Sequence, residues 1–236
     1  MKRLVILCGL AFSLALCVSA ETQKKDVDIK AADGVNLKAT YYSPGRSGPA
    51  MILLHQCNMD RHAWDGLAQD LANAGFHVVT VDFRGYGESG GDRAQRDKWP
   101  GDVDAAFAYL MAQKDVDKSR IAAGGASCGV TQSSDLATRH HDIKALMLLS
   151  GQASDAAKTY IATTTSLPVF GAASDGDTGA AKGIKDAVGA SKNTQSTVKI
   201  YSGTEHGVPM FAKNAELEPL IVNWLKTQLA VKTSSR

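Results

Sequence analysis

The stretch Ile121-Ala122-Ala123-Gly124-Gly125-Ala126-Ser127-Cys128-Gly129-Val130 decides how this chain is read. A short apolar run ends in Gly-Ala-Ser-Cys-Gly, a G-x-S-x-G arrangement, and a helix is expected after Gly129. The physical demand behind that pattern is a sharp strand-to-helix turn that lifts one side chain above the end of a sheet. The neighbours must be small so that adjoining backbone is not struck. Ser127 has a glycine at both flanks. With Cys128 as the lifted residue, the flanks would be Ala126 and Val130, and a β-branched valine is badly suited there. Ser127 is therefore the candidate nucleophile.

A serine hydroxyl is a poor nucleophile until a neighbouring base accepts its proton, so a histidine is expected downstream. Tyr201-Ser202-Gly203-Thr204-Glu205-His206-Gly207 places His206 in a polar loop between the last expected strand and the last helix. Such a loop opens at the carboxyl edge of a parallel sheet, where the serine also emerges. The remaining histidines beyond the leader have duller settings. His55 ends a strand, His62 starts a helix, His77 flanks a strand, and His140-His141 lie in a charged surface run. The acid that fixes the imidazole tautomer is expected between serine and histidine, after a strand. Ser174-Asp175-Gly176-Asp177-Thr178 offers Asp177, preferred because the acid must stand past the turn, with Asp175 as runner-up. Whichever aspartate is unused is expected to cap the helix that follows.

Around these residues the chain alternates strands and helices, the pattern of a mostly parallel central sheet with helices on both faces, an α/β fold class. It opens with two strands, near residues 27–29 and 35–42, flanking Asp33-Gly34; this dipeptide favours a tight hairpin turn, which predicts an antiparallel N-terminal pair. The continuously apolar run at 51–54 reads as a strand buried on both faces, and 78–81, 121–124, 145–149, 169–173 and 198–201 read as further strands. Trp64, Leu67, Ala68 and Leu71 recur at helical spacing, with Gly75 at a helix C-terminus. Val103, Ala106, Phe107 and Leu110 repeat the helical spacing, and Leu217, Leu220, Ile221, Trp224 and Leu225 form the closing helix. Residues 232–236 read as a frayed tail, and the connections leave little room for a large lid.

The first 20 residues, a basic start, an apolar run and Val18-Ser19-Ala20, read as a signal peptide, leaving one domain over 21–236 and a secreted or periplasmic product. No stable membrane anchor is expected after cleavage. The net charge of +2 mixes both signs without a basic run, which argues against nucleic acid as partner. A small acyl substrate is the expected partner; oligomeric state is not read from the sequence. No dinucleotide loop, phosphate loop or zinc pair is present, so no cofactor and no metal are expected. Of four cysteines, Cys8 and Cys17 leave with the leader, and Cys57 and Cys128 remain.

Taken together, these residues resemble the α/β-hydrolase superfamily, in particular its small lidless dienelactone-hydrolase-like and serine-esterase-like members. Leu53-Leu54-His55-Gln56-Cys57 is similar to the family's strand-end His-Gly-x motif, and Asp82-Phe83-Arg84-Gly85-Tyr86-Gly87-Glu88-Ser89 to its Asp-x-Arg-Gly-x-Gly-x-Ser loop. The resemblance implies an oxyanion hole made by the backbone N–H groups of Cys57 and Cys128. Gln56 departs from the usual glycine, and Ser127 from the cysteine nucleophile of true dienelactone hydrolases. The Asp82–Ser89 loop is given no catalytic role. Two donors aimed at one oxygen must come close, so the implied hole also predicts a Cys57–Cys128 disulfide. The expected activity is hydrolysis of an ester or related acyl bond through Ser127, His206 and Asp177. A peptidase, a thioesterase or a catalytically silent binding protein on the same fold are the alternatives.

Overall fold

The computed structural model describes residues 21–229; the expected leader and the C-terminal tail lie outside the described residues. Eight strands form one sheet: β1 (Gln23–Lys30), β2 (Asn36–Ser43), β3 (Gly48–Leu54), β4 (His77–Val81), β5 (Val116–Ala126), β6 (Ile143–Leu149), β7 (Val169–Ser174) and β8 (Thr197–Tyr201), in spatial order β1-β2-β4-β3-β5-β6-β7-β8. The β1–β2 and β2–β4 pairs are antiparallel, and every other pair is parallel. The expected mostly parallel sheet with an N-terminal antiparallel hairpin is what the chain adopts.

Seven α-helices cover both faces: α1 (Asp65–Asn73), α2 (Trp99–Met111), α3 (Cys128–Arg139), α4 (Asp155–Thr163), α5 (Thr178–Ala190), α6 (Met210–Lys213) and α7 (Leu217–Leu229). The alternation of side chains along β3 explains how the two faces are filled. Ile52 and Leu54 enter the core layer shared with α2 to α5, through Val103, Phe107, Ile161 and Ile184. Met51 and Leu53 enter the opposite layer, with Leu67 and Leu71 of α1 and Ile221 and Leu225 of α7. Being buried on both faces, β3 has to be apolar at every position from Ala50 to Leu54.

The first turn differs from its expectation. The β1–β2 connection runs through residues 31–35, and of the Asp33-Gly34 pair only Gly34 has positive φ (86°). Asp33 is used elsewhere: its carboxylate holds Arg84 at 2.8 Å and accepts the Val35 N–H at 3.3 Å. The Asp82–Ser89 loop is a scaffold, as expected. Arg84, 2% exposed, forms a two-pronged pair with Asp102 of α2, both bonds 2.6 Å. Asp82 accepts from Arg61 at 2.6 Å, and the same guanidinium also reaches Glu88.

Candidate active site

At the end of β5 the backbone turns so sharply into α3 that Ser127 takes φ 53°, ψ −117°; Ser127 and Ser150 are the two non-glycine residues with positive φ among the described residues. Such backbone is strained for an L residue and persists only where its surroundings over-determine it. Here they do. A Cβ on Gly125 would stand 2.2 Å from the Gly129 carbonyl oxygen, and one on Gly129 would stand 2.2 Å from the Leu54 carbonyl oxygen. The turn is closed upon itself and against β3, and the Ser127 N–H donates to the Leu149 carbonyl at 2.9 Å. Ser127 remains partly exposed at the carboxyl edge of the sheet.

Asp177 and His206 arrive on the loops after β7 and β8. The separation between His206 Nδ1 and Asp177 Oδ2 is 2.5 Å, with the imidazole 42% exposed and the carboxylate 21%. A carboxylate beside Nδ1 makes Nδ1 the protonated nitrogen and leaves Nε2 as an acceptor. The two loops are laced together. The Asp175 N–H donates to Tyr201 O (2.8 Å), the Gly176 N–H to Gly203 O (2.8 Å), and Ser174 Oγ to Glu205 O (2.7 Å). Asp175 therefore contributes to the scaffold of the loop rather than to the histidine, its Oδ1 accepting the Gly203 N–H at 3.1 Å. The expectation that the unused aspartate caps the next helix is corrected. Asp177 occupies the N-cap of α5 without making a side-chain cap bond, because its carboxylate is turned to His206, and Asp175 is turned to the β8 loop.

The His206 loop lies against the elbow. A Cβ on Gly207 would stand 3.3 Å from Cβ of Ala126, the residue before Ser127. Ser127 Oγ and His206 Nε2 make no hydrogen bond to each other in this structure; such bonds are often long in unliganded enzymes and tighten with substrate.

Cys57 and Cys128 are joined by a disulfide, with Cα atoms 5.8 Å apart. Cys57 follows β3 by three residues and Cys128 is the first residue of α3, so the bond spans the β3 and α3 ends beside Ser127. Neither backbone N–H donates to an acceptor among the described residues.

Two residues of this region carry more than their sequence settings suggested. His55, fully buried, has Nδ1 2.8 Å from the Gln56 carbonyl oxygen, while its Nε2 accepts the Phe83 N–H at 3.0 Å. The carbonyl it holds belongs to the same planar peptide as the Cys57 N–H, so His55 orients that donor. Burial lowers the pKa of His55, which agrees with a neutral ring protonated at Nδ1. Gln56 spans two loops: its Oε1 accepts the Val208 N–H at 2.9 Å, and its Nε2 donates to Asn58 Oδ1 at 2.8 Å.

The partly exposed Ser127 and the His206 imidazole, 42% exposed, are reached from solvent. No cluster of side chains able to hold a metal ion occurs, and no helix is long and apolar enough to cross a membrane, among the described residues.

Residues 49–178 match a family model described as the alpha/beta hydrolase fold. An uncharacterised protein of Mycobacterium tuberculosis is 35% identical over 117 residues, 49% of this chain and 41% of that protein, so the chain spans less than half the length of this curated relative. Among solved structures, an esterase of Pyrococcus furiosus superposes with a TM-score of 0.71 at 17% identity over 88% of this chain and 93% of that one. A dienelactone hydrolase of Anabaena variabilis superposes with a TM-score of 0.71 at 16% identity over 88% and 99%.

Proposed function

The chain belongs to the alpha/beta-hydrolase fold family, and from that premise we propose that it is a serine hydrolase cleaving a carboxylic ester or related acyl bond. Ser127 is the nucleophile, His206 the general base and Asp177 the residue that orients the imidazole. The observation that carries this reading is the 2.5 Å Asp177–His206 contact on a loop packed against the elbow that holds Ser127 at positive φ.

In the reaction, Ser127 Oγ attacks the carbonyl carbon while its proton passes to His206 Nε2. The carbonyl oxygen becomes an oxyanion and receives the Cys57 and Cys128 N–H groups, the second of which sits at the positive N-terminal end of α3. Collapse expels the alcohol, which takes the proton from His206, and leaves an acyl-Ser127 ester. Water deprotonated by His206 then cleaves that ester and restores the hydroxyl. Every step runs on groups of this chain and water. The exposed imidazole and the short connections suit a small acyl substrate. Cleavage of residues 1–20 and export to an oxidising compartment complete the proposal, which the disulfide supports because such bonds persist there.

The test is reaction of the oxidised protein with a fluorophosphonate probe, followed by peptide mapping, beside hydrolysis of p-nitrophenyl esters of increasing chain length and of a thioester and a peptide. Labelling at Ser127 with ester turnover is expected. A protein that neither labels nor turns over any of these substrates would be a silent scaffold.

A further inference from the structure

We propose that the Cys57–Cys128 disulfide is a redox gate on the oxyanion hole: the oxidised protein is the competent hydrolase, and the reduced protein stays folded but turns substrate over slowly. This inference rests on the serine-hydrolase reading above. The two residues whose N–H groups would receive the oxyanion are the two joined by their side chains, with Cα atoms 5.8 Å apart. One bond thus fixes the distance between the two donors.

The two ends of that bond are supported unequally. Cys128 opens α3, and Gly129 seats the helix so closely on the Leu54 and His55 carbonyls that its position does not need the sulfur. Cys57 lies in a turn outside any strand or helix. That turn is closed around Cys57 by the Met59 N–H donating to the Gln56 carbonyl (3.0 Å), and the same carbonyl, in the peptide that carries the Cys57 N–H, takes the His55 ring. The Cys57 side chain packs against the core and is bonded through its sulfur to Cys128. Opening the bond therefore uncouples the Cys57 turn from the α3 end of the hole and leaves the His55 and Met59 bonds alone to hold the donor peptide, while the elbow, the Asp177–His206 pair and the sheet keep their own contacts. Both cysteines are partly exposed residues beside Ser127, at the end of the sheet.

The step is two-electron thiol–disulfide exchange. A dithiol reductant attacks one sulfur, the S–S bond breaks, and the mixed disulfide resolves as the reductant closes to its own disulfide. Its two protons and two electrons end on Cys57 and Cys128 as thiols. An oxyanion donor contributes about 10²–10³ in rate, so a displaced but not deleted donor is expected to lower kcat by about tenfold or more. KM is expected to change little, because the oxyanion exists only in the transition state.

The experiment follows kcat and KM for a p-nitrophenyl ester on the full protein, before and after dithiothreitol and again after reoxidation. Far- and near-UV circular dichroism are recorded on each sample, with Cys57→Ser as a version that cannot cross-link. The expected result is a drop of about tenfold or more in kcat with KM and both spectra retained, recovery on reoxidation, and the same low kcat in Cys57→Ser regardless of reductant. A kcat within about twofold in reduced, folded protein would overturn the gate while leaving the hydrolase reading standing. Activity lost together with the near-UV signal in both the reduced protein and Cys57→Ser would overturn it too, assigning the bond to global stability. No turnover in either redox state, with Ser127 unlabelled by fluorophosphonate, would remove the hydrolase reading itself and the gate with it.

Discussion

Ser127 and Gly129 stand two residues apart and meet opposite demands. Ser127 must keep a side chain in a backbone conformation that side chains disfavour, and Gly129 must have none because the Leu54 carbonyl occupies the space. Ser127→Ala is expected to lower ester turnover by at least about 10³-fold with the circular dichroism unchanged, and His206→Ala nearly as much, since such residues act as a unit. Asp177→Asn should cost roughly 10³–10⁴ in kcat by favouring the wrong imidazole tautomer. Asp175→Asn should stay within about tenfold, because Asp175 touches the Gly203 N–H and not the ring. Steady-state rates of the four variants check both pairs, and the reverse ranking of the aspartates would move the role to Asp175. The placement of Ser127 at a strand-to-helix elbow and of His206 on the loop after the last strand was legible because each leaves a local signature in the sequence. His55 and Gln56 were not, because their work is done through a neighbour's peptide and through a loop about 150 residues away, contacts that no spacing encodes.

Elements became legible in proportion to how much apolar surface they bury. The strands at the centre of the sheet announce themselves as unbroken apolar runs. Helix α4 escaped because only Ala157 and Ile161 are buried in it; the usable sign was Ser154, whose hydroxyl accepts the Ala157 N–H at 3.0 Å as an N-cap. The loop between β4 and α2 is pinned by charge instead. Arg84→Met leaves the Asp102 carboxylate buried without its partner and is expected to cost roughly 3–5 kcal/mol in urea unfolding. Adding Asp102→Leu should recover most of that loss. His55 makes the end of β3 sensitive to acid. Its folded pKa is lowered by burial, so the folded state favours the neutral ring. Its contribution is complete above the ordinary imidazole value of about 6.5 and is lost as pH falls through the lower folded value. Urea midpoints of wild type should therefore decline below about pH 6.5 more steeply than those of His55→Asn, whose amide can still donate to Gln56 O. Equal slopes would show that the ring is not the titrating group.

Across the whole molecule, Cys57 and Cys128 are 71 residues apart in sequence, and the chain between them holds β4, β5, α1 and α2. In the chain-entropy view a cross-link over such a loop stabilises the fold by about 4 kcal/mol, which reduction should remove from the urea unfolding free energy. The sheet order gives that same bond a meaning in time. β4 flanks β3 on one side and β5 arrives on the other, a non-local parallel pairing of the kind that forms slowly. The two sulfurs meet only once β5 has docked and α3 has been laid over the end of β3. Sulfur pairing is thus a stopwatch for assembly of the middle of the sheet, running inside the protein itself. In refolding of the reduced protein with oxidised glutathione, which is reduced to two thiols as the Cys57–Cys128 bond forms, samples are quenched by alkylation at successive times; loss of reactive protein thiol should lag the gain of helical signal and coincide with burial of the β3–β5 seam in hydrogen exchange.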